Sequence, residues 1–261
     1  AFPGDHVQVV AAQDTRRDES SPHASWKELL QHLEQAYEFD RVVYLSNYLT
    51  PHIDSVGDIE LLRSVFRACM GRRIQLLYIA GPAGAEGAAD AAGRTGKGII
   101  ARAANDLCRY YAAREGVQTK ILRVPFLYTA SAALEDPFLV PLFDACSTGS
   151  VALQGAEDAA FPLLCAEELA VLVRRIFDSW DGNFETLDVA DAFHHTAGEV
   201  GEALQALFPG LSAAYGDSAG YVLPVSDVAR VRYGWFQRYD LLRDLSTIQA
   251  RWDAGRAKKV N

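Results

Sequence analysis

Residues 99–124 read IIARAANDLCRYYAAREGVQTKILRV, and this stretch decides the fold class. Residues 99–115 are predicted to form a helix, which Gly116 is suited to end because glycine adopts the left-handed conformation without steric cost. Residues 119–124 are a short apolar run of the kind that forms a buried strand. The stretch therefore predicts a helix that leads directly into a strand of a sheet.

The chain upstream of this stretch repeats the same alternation. Residues 74–80 are a nearly continuous apolar strand, as expected where helices cover both faces of a sheet. A helix is predicted over 54–70 and a strand over 41–45. Further upstream, residues 7–12 predict another strand, and a capping box at 25–28 predicts the start of a helix. This alternation predicts an α/β fold with a doubly wound parallel sheet.

The pattern changes after Pro125. Residues 130–165 mix short strands and loops, and four helices are predicted after them, over 167–180, 196–208, 226–233 and 240–252. Thr196 and Glu199 form a capping box for the second of these helices, and Gly234 closes the third. The sequence thus predicts a core over 1–129 and a smaller C-terminal α/β lobe over 130–261 that is interleaved with the core.

Composition and charge argue against several classes of partner. The chain has 261 residues and a formal net charge of −9, with no Lys/Arg cluster beyond the tail at 256–259. This argues against non-specific binding to nucleic acid or to an anionic membrane surface. No apolar run approaches the roughly 20 residues of a membrane helix. The four cysteines are isolated, with no C-x-x-C, which favours free thiols in the cytoplasm.

Six segments occur in the order, and at nearly the spacing, of the landmarks of one enzyme family. They are VQVVAAQDTRRD (7–18), YLSN (44–47), LLYIAG (76–81), CRYYAAREGVQTKILRVPFLY (108–128), LLCAEELA (163–170) and DVARVRYGWFQRYDLLRDL (227–245). Together they resemble the extended short-chain dehydrogenase/reductase family, especially its NAD-dependent epimerase/dehydratase branch. The resemblance implies a Rossmann-like core and a nucleotide or nucleotide-sugar ligand.

The resemblance also implies cofactor residues. NAD or NADP would be the cofactor, and Asp14 would bond its adenine amino group. Tyr44 and Ser46 stand at the end of a strand that borders the cofactor in the family. From the residues alone, Asp14 is equally well explained as a turn residue that ends a strand, and it stays open whether any cofactor binds.

The catalytic set of the family has no counterpart at the matching positions. The family uses a Tyr and a Lys four residues apart on the helix before the ILR strand, with a Ser at the preceding strand end. The Tyr position falls on Lys97, the Lys position on Ala101, and the Ser position within 80–83. Residues 81–109 contain no Tyr and only one Lys. General acid–base catalysis needs such groups within hydrogen-bond reach of the substrate, so the family's chemistry is predicted to be lost.

Two glycine patterns are similar to phosphate-binding motifs. The family opens with a strand and a G-x-x-G-x-x-G turn, whereas this chain is expected to begin at about the third strand of that fold. Residues 81–87 spell the same pattern, but Pro82 interrupts the tight turn. They are interpreted as part of a mobile Gly/Ala loop over 81–98 that binds no phosphate. Residues 93–98 fail the P-loop pattern because Gly98 stands where Ser or Thr should be.

Three functions follow as hypotheses. The first is a non-catalytic nucleotide- or partner-binding domain, free or within a larger protein. The second is an active nucleotide-sugar epimerase, dehydratase or reductase with a displaced acid/base, for which Tyr78 and Tyr128 are candidates. The third is an oligomeric interaction module, because family members often pair through two helices, here 54–70 and 99–115.

Other conspicuous residues have structural explanations. His194 and His195 are predicted to lie in a polar loop without a metal, since no ligand partner stands at a suitable spacing. Glu167 and Glu168 are predicted to stabilise the start of a helix through its dipole. Two tryptophans of the C-terminal part are expected to be packing residues of the lobe, namely Trp235 and Trp252.

Overall fold

The structure is a computed structural model that describes residues 39–45, 55–81, 96–131, 136, 138–153, 155–189, 192–217 and 227–260. In these ranges the strands are β1 (Arg41–Leu45), β2 (Gln75–Ala80), β3 (Gln118–Arg123), β4 (Phe126–Tyr128), β5 (Ser150–Leu153), β6 (Leu163–Cys165), β7 (Phe184–Asp188) and β8 (Ser212–Tyr215). The helices are α1 (Ser55–Cys69), α2 (Gly96–Glu115), α3 (Leu139–Ser147), α4 (Ala166–Asp178), α5 (Ala197–Leu207), α6 (Val228–Tyr233) and α7 (Leu241–Val260).

The central element is a parallel sheet in the order β1-β2-β3-β7. β2 lies between two neighbours, and its residues from Leu76 to Ala80 are all buried. Alternate side chains of β2 enter two different clusters, with Leu76 and Tyr78 on one face and Leu77 and Ile79 on the other. Because a strand points successive side chains to opposite faces, its near-continuous apolar run requires cover on both sides.

Helices provide that cover on both faces. α1 and α2 contribute Phe66, Cys108 and Tyr111 to the cluster on one face. On the other face, α4 contributes Leu172 and Ile176. The prediction of an α/β fold with a doubly wound parallel sheet is therefore confirmed.

A further hydrophobic cluster, called the lobe below, is formed by β4, β5, β6, α3, α5 and α7. β4 pairs with β6 and β5 pairs with β8, both in parallel. Phe143 of α3 packs against Trp252 of α7, with ring centroids 5.4 Å apart. The capping box at Thr196 and Glu199 is present as predicted. Gly234 ends α6 in the left-handed conformation, also as predicted.

Most predicted elements of the described ranges are confirmed, and the sequence missed four, namely β4, α3, β7 and β8. α3 falls inside the stretch that was predicted to hold only short strands and loops. β7 was not predicted, although it joins β3 in the main sheet. The last helix was predicted to end near Trp252, whereas α7 continues to Val260. No helix of the described part is both long enough and apolar enough to cross a bilayer.

Several predictions lie outside the described residues. They concern the strand at 7–12, the helix that follows the capping box at 25–28, the cofactor residues Asp14 and Ser46, and most of the glycine-rich loop over 81–98. The division of the chain at 129/130 remains a prediction.

Candidate functional site

The carboxyl edge of the main sheet is the candidate site. In open parallel sheets, ligands bind in the crevice beyond the carboxyl ends of the strands. Here Gly81, which is buried, directly follows β2 at that edge. Two further backbone hydrogen bonds extend the pairing past the strands, because the Val124 amide donates to Ala80 O at 2.9 Å and the Val189 amide donates to Arg123 O at 2.9 Å.

An ion pair lies at this edge, between the ends of β3 and β7. Arg123 and Asp188 are register partners at the ends of β3 and β7. Arg123 Nε donates to Asp188 Oδ1 at 2.6 Å and Nη2 donates to Oδ2 at 2.8 Å. Their side chains are only 12% and 15% exposed. The two charges neutralise each other in the fork geometry that guanidinium and carboxylate share. Sequence reasoning missed this pair, because β7 itself was not predicted.

α2 brings Lys97 and Ala101, the predicted counterparts of the family's Tyr and Lys, to the same edge. This helix connects β2 to β3, so it begins beside the carboxyl ends of the strands and runs back toward their amino ends. Lys97 and Ala101 lie in its first two turns. Tyr110 lies nine residues after Ala101, which is about 14 Å along a helix at 1.5 Å per residue. Tyr111 stacks on Phe66 with ring centroids 4.6 Å apart. The tyrosines of α2 are thus remote from the candidate site.

Tyr44, a predicted cofactor residue, has a partner within the protein. Its ring is 8% exposed and lies in the cluster between β1 and α1. The hydroxyl donates to an Asp58 carboxylate oxygen, and it lies 3.1 Å from Asp58 O. Burial, followed by the Asp58 charge, raises the pKa of Tyr44 above its usual range. The hydroxyl is therefore neutral and engaged with α1, and the cofactor role of Tyr44 remains a prediction.

The two candidates for a displaced acid/base are both buried. Tyr78 is 2% exposed, and its ring centroid lies 5.9 Å from that of Tyr44. Tyr128 is 1% exposed and lies in the core of the lobe. Burial raises the pKa of Tyr128 above its usual range. A group that exchanges a proton with a substrate must reach it, and neither hydroxyl is exposed to solvent.

Glu167 does more than the predicted stabilisation of a helix start. Its carboxylate accepts hydrogen bonds from Ser131 N at 2.9 Å, Ala130 N at 3.3 Å and Cys165 Sγ at 2.9 Å, and also from Ser131 Oγ. Burial alone would raise the pKa of Glu167, but the hydrogen bonds from Cys165 and Ser131 outweigh it and hold the pKa at about 2. Glu167 thus fixes the chain that follows β4 to the start of α4.

Glu168 anchors a second segment to the same helix start. Its carboxylate accepts from the Arg238 amide at 2.6 Å and from the Tyr239 amide at 3.1 Å. Trp235 Nε1 donates to Glu168 O at 3.0 Å. Trp235 was expected to pack within the lobe, but it lies in the cluster that contains Leu77 of the main sheet. The segment after α6 is therefore fixed to α4 and to the core.

His195 contacts two carboxylates, and the cysteines are buried. His195 Nε2 lies 2.7 Å from Asp240 Oδ1, and Nδ1 lies 3.7 Å from Glu199 Oε2. In the described residues, no group of three or more His, Cys, Asp or Glu side chains is arranged to hold a metal ion. All four cysteines are free and buried. Burial raises the pKa of the Cys69 thiol to about 12.

Comparison with known proteins places the fold but gives no close relative. No protein-family model and no curated protein matches the sequence. Among solved structures, the chain is similar to the UDP-N-acetylglucosamine 4-epimerase from Bacillus cereus, with 16% identity, a TM-score of 0.68 and coverage of 90% of this chain and 85% of that one.

Two further solved structures show the same likeness. A monomeric L-threonine 3-dehydrogenase from a metagenome has 13% identity, a TM-score of 0.67 and coverage of 91% and 88%. A dTDP-glucose 4,6-dehydratase from Streptomyces venezuelae, solved with NAD bound, has 10% identity, a TM-score of 0.66 and coverage of 87% and 76%. At such identities the likeness concerns the fold alone, and this chain has the Rossmann-like α/β fold of these solved structures.

Proposed function

We propose that this chain is a non-catalytic member of the extended short-chain dehydrogenase/reductase family that binds a nucleotide at the carboxyl edge of its sheet. The observation that carries the proposal is the start of α2. Lys97 and Ala101 occupy the positions where the resemblance places the family's Tyr and Lys. An alanine has no group that can hold a ribose or lower a neighbouring pKa.

The other tyrosines near the sheet support the same conclusion. Tyr44 donates to Asp58, Tyr78 is enclosed by the core, and Tyr128 lies inside the lobe. To exchange a proton with a substrate, any of these hydroxyls would have to leave its buried position and reach the carboxyl edge of the sheet. The hypothesis of an active enzyme with a displaced acid/base therefore has less support than the non-catalytic one.

Binding of a nucleotide is supported by the fold and by the edge itself. The similar solved structures include one with NAD bound. In this chain the edge offers Gly81, whose missing Cβ permits close approach to the backbone, and an ion pair that adds no net charge. Asp14, Tyr44 and Ser46 would complete the contacts with NAD or NADP. A nicotinamide supplies hydride transfer when it is bound in this family, and we assign to this chain only the binding.

A second candidate function is pairing with another copy of the chain. α1 and α2 pack side by side on one face of the sheet. α2 exposes 54% of Ile99 and 53% of Tyr110 on its outer side. Exposed apolar side chains on α2 suit a helical interface, and light scattering during gel filtration would measure the mass of the assembly.

Calorimetric titration together with a product assay tests the main proposal. NAD, NADP and UDP-N-acetylglucosamine are titrated into the purified chain, and conversion of the nucleotide sugar is followed by chromatography, because epimerisation and dehydration leave no net reduced nicotinamide. We expect binding of a nucleotide without turnover. Failure of all three to bind would contradict the binding role.

Turnover above background would instead favour the active-enzyme hypothesis. In that case Tyr78→Phe and Tyr128→Phe identify the displaced group, because only the variant that removes it abolishes turnover. Tyr110→Phe, which changes a hydroxyl on the outer side of α2, is the matched control.

A further inference from the structure

Arg123 carries hydrogen-bond donors that its ion pair with Asp188 does not use. A guanidinium has five N–H groups in a planar arrangement. Nε and one N–H of Nη2 donate to the two oxygens of Asp188. In the described residues, no protein atom accepts from Nη1 or from the second N–H of Nη2. These two nitrogens therefore present a second fork, called the free fork below, which can donate two parallel hydrogen bonds to one ligand.

The free fork is open to solvent. The Arg123 side chain is 12% exposed. Nη1 is not one of the fully buried side-chain atoms of the described residues that lack a partner. Because Nη1 has no partner within those residues either, it reaches solvent. A ligand that binds there meets a guanidinium that Asp188 already holds, so little additional conformational entropy is lost on binding.

The alternation of the strands shows on which face of the sheet the free fork lies. Leu122 and Leu187, which precede Arg123 and Asp188, belong to the cluster that α4 covers. Successive side chains of a strand point to opposite faces, so Arg123 and Asp188 lie on the other face. On that face α2 packs against both β3 and β7.

The start of α2 favours an anion at the same edge and on the same face. α2 begins beside the carboxyl ends of the strands, and its first turn contains no acidic residue. The positive end of the helix dipole is therefore not neutralised by a carboxylate of its own first turn. The free fork and this helix end both attract negative charge.

We infer that the free fork of Arg123 binds a phosphoryl group of the diphosphate that NAD and nucleotide sugars share. This inference rests on the proposed function and names the part of the nucleotide that the edge recognises. Two oxygens of a phosphoryl group match the two N–H groups of the fork, which an ammonium could not do. Asp188 is a positioning residue that holds the guanidinium plane, while its negative charge opposes the bound anion.

Calorimetric titration of the parent with ADP, adenosine and pyrophosphate tests the free fork. ADP carries the diphosphate, adenosine lacks it, and pyrophosphate is the diphosphate alone. We expect the parent to bind ADP about tenfold more tightly than adenosine, and we expect Arg123→Lys to remove most of this difference, because lysine keeps the charge but not the fork. Arg230→Lys, at an exposed ion pair on α6, is the matched control and should keep the preference.

Asp188→Asn has an opposite expected effect, which damage to the fold could not produce. Asparagine keeps an oxygen that accepts from Arg123 but removes the negative charge, so we expect ADP to bind about fivefold more tightly while the affinity for adenosine is unchanged. Asp227→Asn removes the charge of the exposed partner of Arg230 and should leave both affinities unchanged. Circular dichroism at the titration temperature verifies that each variant is folded.

Equal binding of ADP and adenosine by the parent would contradict the inference and leave nucleotide binding in place. An Arg123→Lys protein with the full preference for ADP, or an Asp188→Asn protein that binds ADP more weakly, would contradict it as well. If the parent binds neither ADP nor adenosine, the proposed binding of an adenine nucleotide fails and pyrophosphate decides. Pyrophosphate binding that Arg123→Lys weakens would support the free fork, and absence of binding would exclude it.

Discussion

Lys120 and Glu185 are register partners on β3 and β7, and the Lys120 ammonium lies 2.5 Å from Glu185 Oε2. The lysine side chain is only 1% exposed. Asp181 accepts a second hydrogen bond from it at 3.0 Å, and Arg232 of α6 contacts both acids. The cluster joins two strands of the main sheet to α6, and its two positive charges face two negative ones. A buried ammonium is tolerated here because it is paired on more than one side.

Removal of the buried lysine is expected to cost much more than removal of the exposed arginine. Lys120→Met leaves Glu185 and Asp181 with Arg232 alone, so we expect the free energy of unfolding to fall by about 2–4 kcal/mol. Arg232→Met changes a side chain that is 37% exposed and should cost about 1 kcal/mol or less. Urea denaturation measures both. Equal losses would show that the cluster behaves as an ordinary surface network.

The contribution of the Arg123–Asp188 ion pair to stability should depend on the planar shape of the guanidinium. Arg123→Lys keeps the charge but cannot make two parallel hydrogen bonds, and we expect a loss of about 1–2 kcal/mol. Arg230→Lys is the matched control, because Arg230 also pairs with one carboxylate, that of Asp227, but both side chains are more than half exposed. The control should leave the free energy of unfolding nearly unchanged, because exposed ion pairs contribute little. A similar effect at both sites would contradict this prediction.

Stability should fall in acid because of Glu167. Its pKa is about 2 in the folded protein and near 4.5 when unperturbed, so the unfolded chain binds more protons between these values. The contribution of Glu167 is thus fully present above about pH 4.5 and is lost as the pH falls toward 2. Thermal unfolding of Glu167→Gln across this range should show a weaker acid dependence than the parent. Glu60→Gln, at an exposed position of α1, should keep the full dependence.

Two glycine-to-alanine substitutions should have opposite effects. At Gly57 in α1 an added Cβ meets no atom within 4 Å, so alanine should stabilise the helix by about 0.5–1 kcal/mol. At Gly198 in α5 the added Cβ would lie 3.1 Å from the backbone oxygen of Glu157. That oxygen is held by a hydrogen bond from the Gly198 amide at 2.8 Å. Gly198→Ala should therefore destabilise, and equal melting temperatures for the two variants would contradict the expected contrast.

Substitution of Asp14 tests whether this residue binds the cofactor, as the resemblance to the family implies. If Asp14 bonds an adenine amino group, Asp14→Ala should weaken nucleotide binding by about 1–3 kcal/mol, because a buried partner is left unpaired. Asp18→Ala, four residues later, should leave the affinity unchanged. Calorimetric titration with NAD measures both, and equal affinities would show that Asp14 is a turn residue.

The sequence predicted the parts of the fold that have strong local signals. β2 is a continuous apolar run, and the capping box at Thr196 binds its own backbone, so neither depends on distant residues. α3 was missed because it lacks such a signal. No side chain at Phe138 caps it, and its first amides are held by Asp136, which accepts from Phe138 N at 2.8 Å and Leu139 N at 2.6 Å.

β7 and the edge contacts depend on tertiary structure. The sequence of β7 is FETLD, in which only Leu187 is buried, so hydrophobic periodicity is weak. Arg123 and Asp188 become partners only through the register of β3 with β7. The contacts of Glu167 with Ser131 likewise join residues that are far apart in the chain. Sequence alone predicted that α2 lacks the family's Tyr and Lys, but it gave no signal for the ion pair at the same edge.

The pairing of β3 with β7 also has a consequence for folding kinetics. Arg123 and Asp188 are neighbours in the sheet, yet the chain between them forms β4, α3, β5, β6 and α4. Contacts with such a large sequence separation raise the contact order and slow folding. The long intervening segment must lose conformational entropy before the pairing of β3 with β7 can stabilise the protein. During synthesis, β3 leaves the ribosome with one edge unpaired until residue 188 follows. We therefore expect a nascent chain that stops before β7 to be recognised by chaperones and proteases, whereas a chain that includes β7 completes its sheet and escapes them.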